Sequence, residues 1–206
     1  MAQKYTTDPI LVGEGKLSFV YAFERAKDQR TGKETKYETA LLLPPGYDTK
    51  PLLDMMWEAW FLRFGKDQAK WPKGNRLNPV RMPEDVIRPC EERSKYSGYL
   101  PGWKFFGARS DYSPKVRDRT RAKVFEADGV ARFPLVTPEE AALVYPGRWA
   151  HLSVNAFTYQ NESTGVSLGL EGILLGRNDT RLAGGGSRAD TTFDQVAEEM
   201  AEDPMN

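Results

Sequence analysis

The sequence predicts a mainly β protein with one substantial helix, and the spacing of its apolar residues carries this prediction. Several segments alternate apolar and polar side chains in the two-residue period of a strand. One segment in the first third instead repeats apolar residues every three or four positions, as on one face of a helix. Proline and glycine separate these segments, so five or six strands joined by turns are expected around one helix.

The N-terminal strands are predicted to form a hairpin. Residues 17–24 alternate strictly, which predicts a strand with its larger side chains on one face. The polar run around Thr31 and Gly32 is typical of a hairpin tip, and residues 36–43 predict the partner strand. The Pro-Pro-Gly triplet at 44–46 ends this strand, because proline cannot donate to a β-ladder.

Residues 49–64 predict an amphipathic helix, with Thr49 as its N-cap and Gly65 as its stop. The apolar stripe of this helix is expected to face the core, although its aromatic members could also stack on bases. The stripe consists of Leu53, Met56, Trp57, Trp60, Phe61 and Phe64.

The segment 66–98 is predicted to be irregular, because four prolines interrupt it. Long loops of this kind are usually functional or disordered. Trp71, Lys73 and Arg76 combine an aromatic ring with two cations, a combination suited to nucleic acid. A surface loop whose tryptophan covers the core explains the same residues equally well.

The last part of the fold is predicted as a short helix followed by two long strands. Thr137 is expected to cap the helix, with Glu140 as its capping-box partner. The runs 148–159 and 166–175 alternate like strands and are joined by a polar turn. The residues of the first run expected to face the core are Ala150, Leu152, Val154 and Ala156.

Five strands curled into a Greek-key barrel with an intervening helix form an OB-fold, whose open face binds single strands and sugars. The predicted architecture is therefore an OB-fold-like five- or six-stranded Greek-key barrel. It is expected to form a nucleic-acid-binding domain over residues 1–176. A β-sandwich fits the strand count nearly as well.

The stretch 99–124 mixes cationic side chains with aromatic ones. If its second half is extended, alternate side chains form one cationic row, which repeats about every 6.6 Å. Such a row could hold a phosphate backbone while unpaired bases lie on aromatic rings. A solvated strand edge protected by lysine and arginine is the alternative. The candidate stacking residues are Tyr99, Trp103, Phe105 and Tyr112, and the candidate phosphate contacts are Lys104, Arg109, Arg117, Arg119, Arg121 and Lys123.

The C-terminal segment, residues 177–206, is predicted to be a flexible linker followed by an acidic tail. Glycines at 184–186 mark the linker, and residues 190–206 contain six acids and no base. The net charge of zero therefore divides into +6 up to residue 189 and −6 beyond it. An amphipathic arm that docks on another protein and competes with nucleic acid for the basic groove would explain this division, and a purely solubilising terminus is the alternative. The tail residues expected to contact a partner are Phe193, Asp194, Glu198, Glu199, Glu202 and Asp203.

Several classes of function find little support in the sequence. Cys90 and His151 are the only residues of their types, so an internal disulfide and a Cys/His metal cluster are not expected, and neither is a cofactor. The sequence has no apolar run of membrane-spanning length and no signal-peptide segment, which predicts a soluble, cytoplasmic protein. A magnesium-dependent nuclease is an alternative with candidate acid pairs at 84–85, 91–92 and 139–140, and a structural adaptor of a virion is another.

The segments VYPGRWAHLSVNAFTYQNESTGVSLGL, RNDTRLAGGGSRADTTFDQV and KFFGARSDYSPKVRD resemble the single-stranded DNA-binding proteins of tailed bacteriophages. The resemblance covers roughly residues 99–200. It implies an OB-fold and non-catalytic, sequence-independent binding of single-stranded DNA in the cytoplasm of an infected bacterial cell. It also implies an acidic C-terminus that contacts replication or recombination proteins. The better-known relatives end in an aromatic residue, which this chain lacks, and Phe193 could take its place.

Overall fold

A computed structural model describes residues 5–28 and 30–183 of the chain. Nine strands, one α-helix and several short 3₁₀ turns form the regular structure of these ranges, and the α-helix lies between the second and third strands. The elements are β1 (Ile10–Tyr21), β2 (Tyr37–Leu43), α1 (Lys50–Phe64), β3 (Arg88–Pro89), β4 (Lys104–Ser110), β5 (Lys115–Asp118), β6 (Val124–Phe125), β7 (Ala131–Arg132), β8 (Trp149–Gln160) and β9 (Thr164–Leu175).

Five strands close into a barrel in the order β4-β2-β1-β8-β9 and back to β4. Neighbouring strands are antiparallel except β4 and β9, whose parallel pairing at Ala108 and Leu168 closes the barrel. Strand β3 extends the sheet beside β4, and β5 runs parallel to β9. This closed Greek-key barrel with one substantial helix confirms the predicted OB-fold-like architecture.

The barrel interior is filled by alternate residues of the long strands. Strands β8 and β9 follow their predicted limits within two residues, and Ala150, Leu152, Val154 and Ala156 are fully buried as predicted. The alternation of β8 explains this agreement, whereas β9 alternates only up to a bulge at Glu171, on either side of which Leu170 and Ile173 both face the core.

Helix α1 forms within one residue of its predicted limits, and Gly65 ends it with a φ of 69°. Its start differs in detail, because Asp48 rather than Thr49 accepts the backbone N–H of Lys50. The buried face is also rotated relative to the predicted stripe. It consists of Leu52, Met55, Met56, Ala59 and Trp60, whereas Leu53, Trp57, Phe61 and Phe64 are only half-buried.

Strand β1 departs most from the sequence prediction. It begins at Ile10, seven residues before the alternating run, and its pairing with β2 shifts register between Ser18 and Tyr21. Phe19 adopts a φ of 49° within this bulge, and after it Val20 and Ala22, rather than Tyr21, pack with Leu17 in the core. A bulge reverses the alternation of the residues that follow it, so the pattern before the bulge does not predict which later residues face inward.

The segment 66–98 is irregular, as predicted, apart from short 3₁₀ turns and the two residues of β3. Part of it folds over the outer face of β2 and β4. There Leu42, Cys90, Tyr99 and Phe105 form a second apolar cluster outside the barrel. Further along, Thr137 and Glu140 make the predicted capping box at the start of a 3₁₀ helix, Pro138–Leu143.

Residues 177–183, the first of the predicted linker, lie against the barrel. Asp179 pairs with Lys16 at 2.9 Å and accepts the indole N–H of Trp149 at 2.7 Å. Leu182 packs on the second cluster and donates its backbone N–H to Pro146. The remainder of the predicted linker and the acidic tail, residues 184–206, lies outside the described residues.

Candidate nucleic-acid interface

Arg109 lies where three surface grooves meet. It sits near the end of β4, where it pairs in register with Glu38 of β2 and Gly169 of β9. Its side chain is exposed, lines all three grooves and has no carboxylate partner within the described part of the chain. In an OB-fold the second and third barrel strands and the loops beside them form the binding face. Arg109 therefore occupies the third-strand position of that face.

The first groove, of about 510 Å³, gathers arginines around Arg109. Arg81, Arg88 and Arg93 line it together with three acids, of which Glu92 pairs with Arg88. Burial lowers the pKa of Arg81 from its ordinary value, and the positive charges of Arg109 and Arg88 lower it further. Like charges held this close favour an anion between them.

The second groove is lined by residues of α1, β8 and β9 and by the segment before β1, and the third by the loop that joins β1 to β2. Lys36 lines both, and the ring of Tyr112, 83% exposed, stands at the edge of the larger one. Arg63 lies across the same groove, with its guanidinium 5.1 Å from the ring of Tyr5. Acids line the three grooves as well as cations, and Lys36 is paired with Asp111 at 3.0 Å. The unpaired guanidinium of Arg109 and the exposed ring of Tyr112 are therefore the features suited to a single strand.

Tyr99 and Phe105 do not offer their ring faces to a ligand, contrary to the prediction. Both are more than nine-tenths buried in the second apolar cluster, with their centroids 5.1 Å apart. The segment 88–103 covers this part of the outer face, and the guanidinium of Arg93 covers the ring of Phe105 at 4.8 Å. Trp103 is half-buried beside the same cluster, 6.2 Å from the ring of Trp149.

The predicted cationic row along residues 117–123 does not form, because β5 ends at Asp118 and a turn follows. Arg117 instead pairs with Glu126 at 2.7 Å. Arg119 pairs with Glu14 at 2.6 Å, Arg121 pairs with Glu140 at 2.8 Å, and the ammonium of Lys123 lies 5.0 Å from the ring of Phe133. Three of the four cations are thus already neutralised locally.

The remaining predicted residues lie at separate places. Lys104 is exposed at the other end of β4 from Arg109. Lys73 and Arg76 are exposed in the irregular segment. Trp71 is half-buried between the aromatic rings of α1, and its indole N–H donates to the carbonyl of Gly65, which fits the alternative that it covers the core.

A family model described as the single-stranded DNA-binding protein of Enterobacter phage Enc34 matches residues 8–205. The chain belongs to this family. The match covers almost the whole sequence and confirms the resemblance to phage single-stranded DNA-binding proteins.

Solved structures of the single-stranded DNA-binding protein from bacteriophage Enc34 share the fold at 16% identity. The complex with single-stranded DNA aligns with a TM-score of 0.59 over 84% of this chain and 88% of that one. The same protein without DNA aligns with a TM-score of 0.58 over 90% of each chain. A C-terminally truncated form aligns with a TM-score of 0.59 over 88% of this chain and 94% of that one. No curated protein sequence matches the chain.

Sequence reasoning missed the cations that surround Arg109. Arg81, Arg88 and Arg93 lie in the irregular segment, where no periodicity shows which way a side chain points. Lys36 could have been found, because a predicted OB-fold already places the loop between its first two strands beside the binding face.

The acids that suggested a nuclease serve the fold. Glu84 accepts the indole N–H of Trp57, Glu91 accepts the backbone N–H of Gly102, and Glu140 pairs with Arg121. Within residues 5–28 and 30–183, no three His, Cys, Asp or Glu side chains are grouped so that they could hold a metal ion. None of the helices in the same ranges is long and apolar enough to cross a membrane.

Proposed function

We propose that the chain binds single-stranded DNA independently of sequence and coats exposed strands of phage DNA during replication or recombination. The observation that carries the proposal is the unpaired Arg109 at the junction of three grooves, on the face that OB-folds use for oligonucleotides. Family membership supports it.

The electrostatics of the grooves favour a polyanion over a single small ion. Arg81, Arg88 and Arg109 repel one another, whereas Lys36, which lines the other two grooves, is paired with Asp111 at 3.0 Å. A phosphate backbone crossing Arg109 would relieve this repulsion and release counterions. Base rings could then lie on Tyr112, and further contacts could come from Lys104, Lys73 and Arg76.

The proposed role involves no catalysis and places the protein in the cytoplasm of the infected cell. Replication or recombination proteins would be recruited through the acidic tail, with Phe193 as its aromatic anchor. The barrel and the tail are thus proposed to be separate functional units, the first for DNA and the second for protein.

We expect labelled oligothymidine to bind far more tightly than a duplex of the same length, because only unpaired bases can stack. If the four arginines of the first groove each neutralise one phosphate, the slope of log affinity against log salt will be about −3. Fluorescence anisotropy titrations over a salt series measure both quantities. Equal affinity for the two forms, or an affinity independent of salt, would contradict the proposal.

Removing residues 190–206 is expected to tighten binding, most visibly at low salt. The truncation takes away six acids and changes the net charge from zero to +6, so attraction to the DNA polyanion increases. The same titrations with the shortened chain measure the effect. A matched variant in which the six acids become their amides should reproduce it, and unchanged affinity in both would show that the tail charge has no influence.

A further inference from the structure

A second surface carries an apolar cavity of about 440 Å³ beneath the β6–β7 hairpin, and it adjoins the larger Arg109 groove at Glu171, which lines both. Its floor is a row of register partners that crosses four strands: Leu11 of β1, Ser153 of β8, Gly172 of β9 and Lys115 of β5. Gly172 has no side chain, which leaves the centre of the row open. Phe133, just beyond β7, lines the opposite wall.

The cavity combines exposed apolar surface with uncompensated positive charge. Leu11 is 59% exposed at its edge. Lys115 and Lys123 line it without a carboxylate partner in the described ranges, whereas Arg117 and Arg132 hold Glu126 and Asp128. Glu171, an acid in the same lining, accepts the side-chain amide N–H of Asn155. An occupant that is apolar on one side and acidic on the other would match this surface.

We propose that residues 193–200 of the same chain, FDQVAEEM, dock in this cavity. Phe193, Val196 and Met200 recur at helical spacing and supply the apolar side, while the acids between them would meet Lys115 and Lys123. The complementarity extends beyond this octet, since residues 190–206 contain no base.

The chain is long enough to reach. Leu182 is bonded to Pro146, and Pro146 lies seven residues before Ser153 of the cavity floor, so the two are at most about 25 Å apart. The nine residues 184–192 can span about 30 Å when extended. Docking would thus hold the acidic segment on the barrel, in the cavity that adjoins the larger Arg109 groove at Glu171, where a protein partner could take it up.

The full-length chain with a spin label at position 201 tests the proposal. Cys90 is buried, and burial raises the pKa of its thiol to about 12, so an Ala201→Cys variant is labelled at the introduced cysteine. In amide NMR spectra we expect the signals of Leu11, Gly172 and Phe133 to be lost. Phe193→Ser should restore these signals. The control Met205→Ser, which shortens an apolar side chain outside residues 193–200, should not.

The cavity wall provides an independent arm. Leu11→Asp places an acid at the cavity edge and should restore the signals of Gly172 and Phe133, and the control Leu77→Asp, at an 88% exposed leucine outside the cavity, should leave them broadened. Broadening that is stronger at Arg109 and Tyr112 than at Leu11 and Phe133, or no selective broadening, would overturn the proposal. The proposal would also be overturned by broadening that passes only from a spin-labelled copy to an unlabelled one in a mixed sample, or by a dimer in sedimentation experiments that Leu11→Asp dissociates. Either result would assign the cavity to a second copy of the chain.

Discussion

Arg109→Ala is expected to weaken the binding of oligothymidine about 10- to 100-fold. A hydrogen bond to a charged group contributes about 1.5–3 kcal/mol, and each 1.4 kcal/mol corresponds to a factor of ten in affinity. Arg109 is expected at the upper part of this range, because it lines all three grooves and no internal carboxylate competes for it. Anisotropy titrations at fixed salt measure the loss, and the salt slope should become shallower by about 0.7.

Arg119→Ala is the matched control for this substitution. Arg119 belonged to the predicted cationic row, but its guanidinium is held by Glu14 at 2.6 Å and lies outside the three grooves. Its loss should change affinity less than twofold, apart from the general effect of one charge. If Arg119→Ala weakened binding as much as Arg109→Ala, DNA would have to cross the β1–β5 side of the barrel, and the proposed interface would be wrong.

The fold could be predicted from the sequence where one face of an element is wholly buried. Strands β8 and β9 and helix α1 show their periods because each packs apolar residues into the same core cluster. The bulge at Phe19 could not be predicted, since it depends on the register between β1 and β2. The closing pair of β4 and β9 joins residues about sixty positions apart in sequence and leaves no local pattern.

The candidate site was predictable in kind but largely not in position. Charge and aromatic content pointed to nucleic acid, and Arg109 and Tyr112 do lie at the grooves. The rings of Tyr99 and Phe105 are not exposed for stacking, because an irregular segment covers them rather than a helix or strand with a recognisable sequence period. Residues of the same types can line a binding groove or form a buried apolar cluster, so tertiary packing decides which of the two they do.

Arg148 and Asp118 form a buried ion pair that joins β5 to the start of β8. They are 1% and 2% exposed, and one guanidinium nitrogen lies 3.2 Å from both carboxylate oxygens. The other guanidinium N–H groups donate to the carbonyls of Leu143 and Gly176. Every strong donor of the buried cation thus has a partner, which is the condition under which such a pair is tolerated.

Asp118→Asn is expected to destabilise the protein by about 3–5 kcal/mol, because it leaves the charge of Arg148 buried without compensation. For a chain of this size the melting temperature should fall by about 6–20 °C. The control Asp54→Asn removes an exposed pair with Lys50 and should cost at most about 1 kcal/mol. Scanning calorimetry measures both.

The pH dependence separates a charge effect from a packing effect at this pair. Burial acts to raise the pKa of Asp118, but hydrogen bonds from Thr120 and the charge of Arg148 outweigh it, so the pKa lies below its ordinary value of 3.8. A carboxyl whose pKa is depressed on folding contributes stability that is complete above its unfolded pKa and is lost as the pH falls through the folded one. Below about pH 4 the parent chain should therefore lose stability more steeply than Asp118→Asn, and the two melting temperatures should converge. A constant difference between the two melting temperatures down to pH 2 would assign the loss to altered packing. In that case the double substitution Asp118→Leu with Arg148→Met should recover no stability, whereas a charge effect predicts that removing both charges restores it.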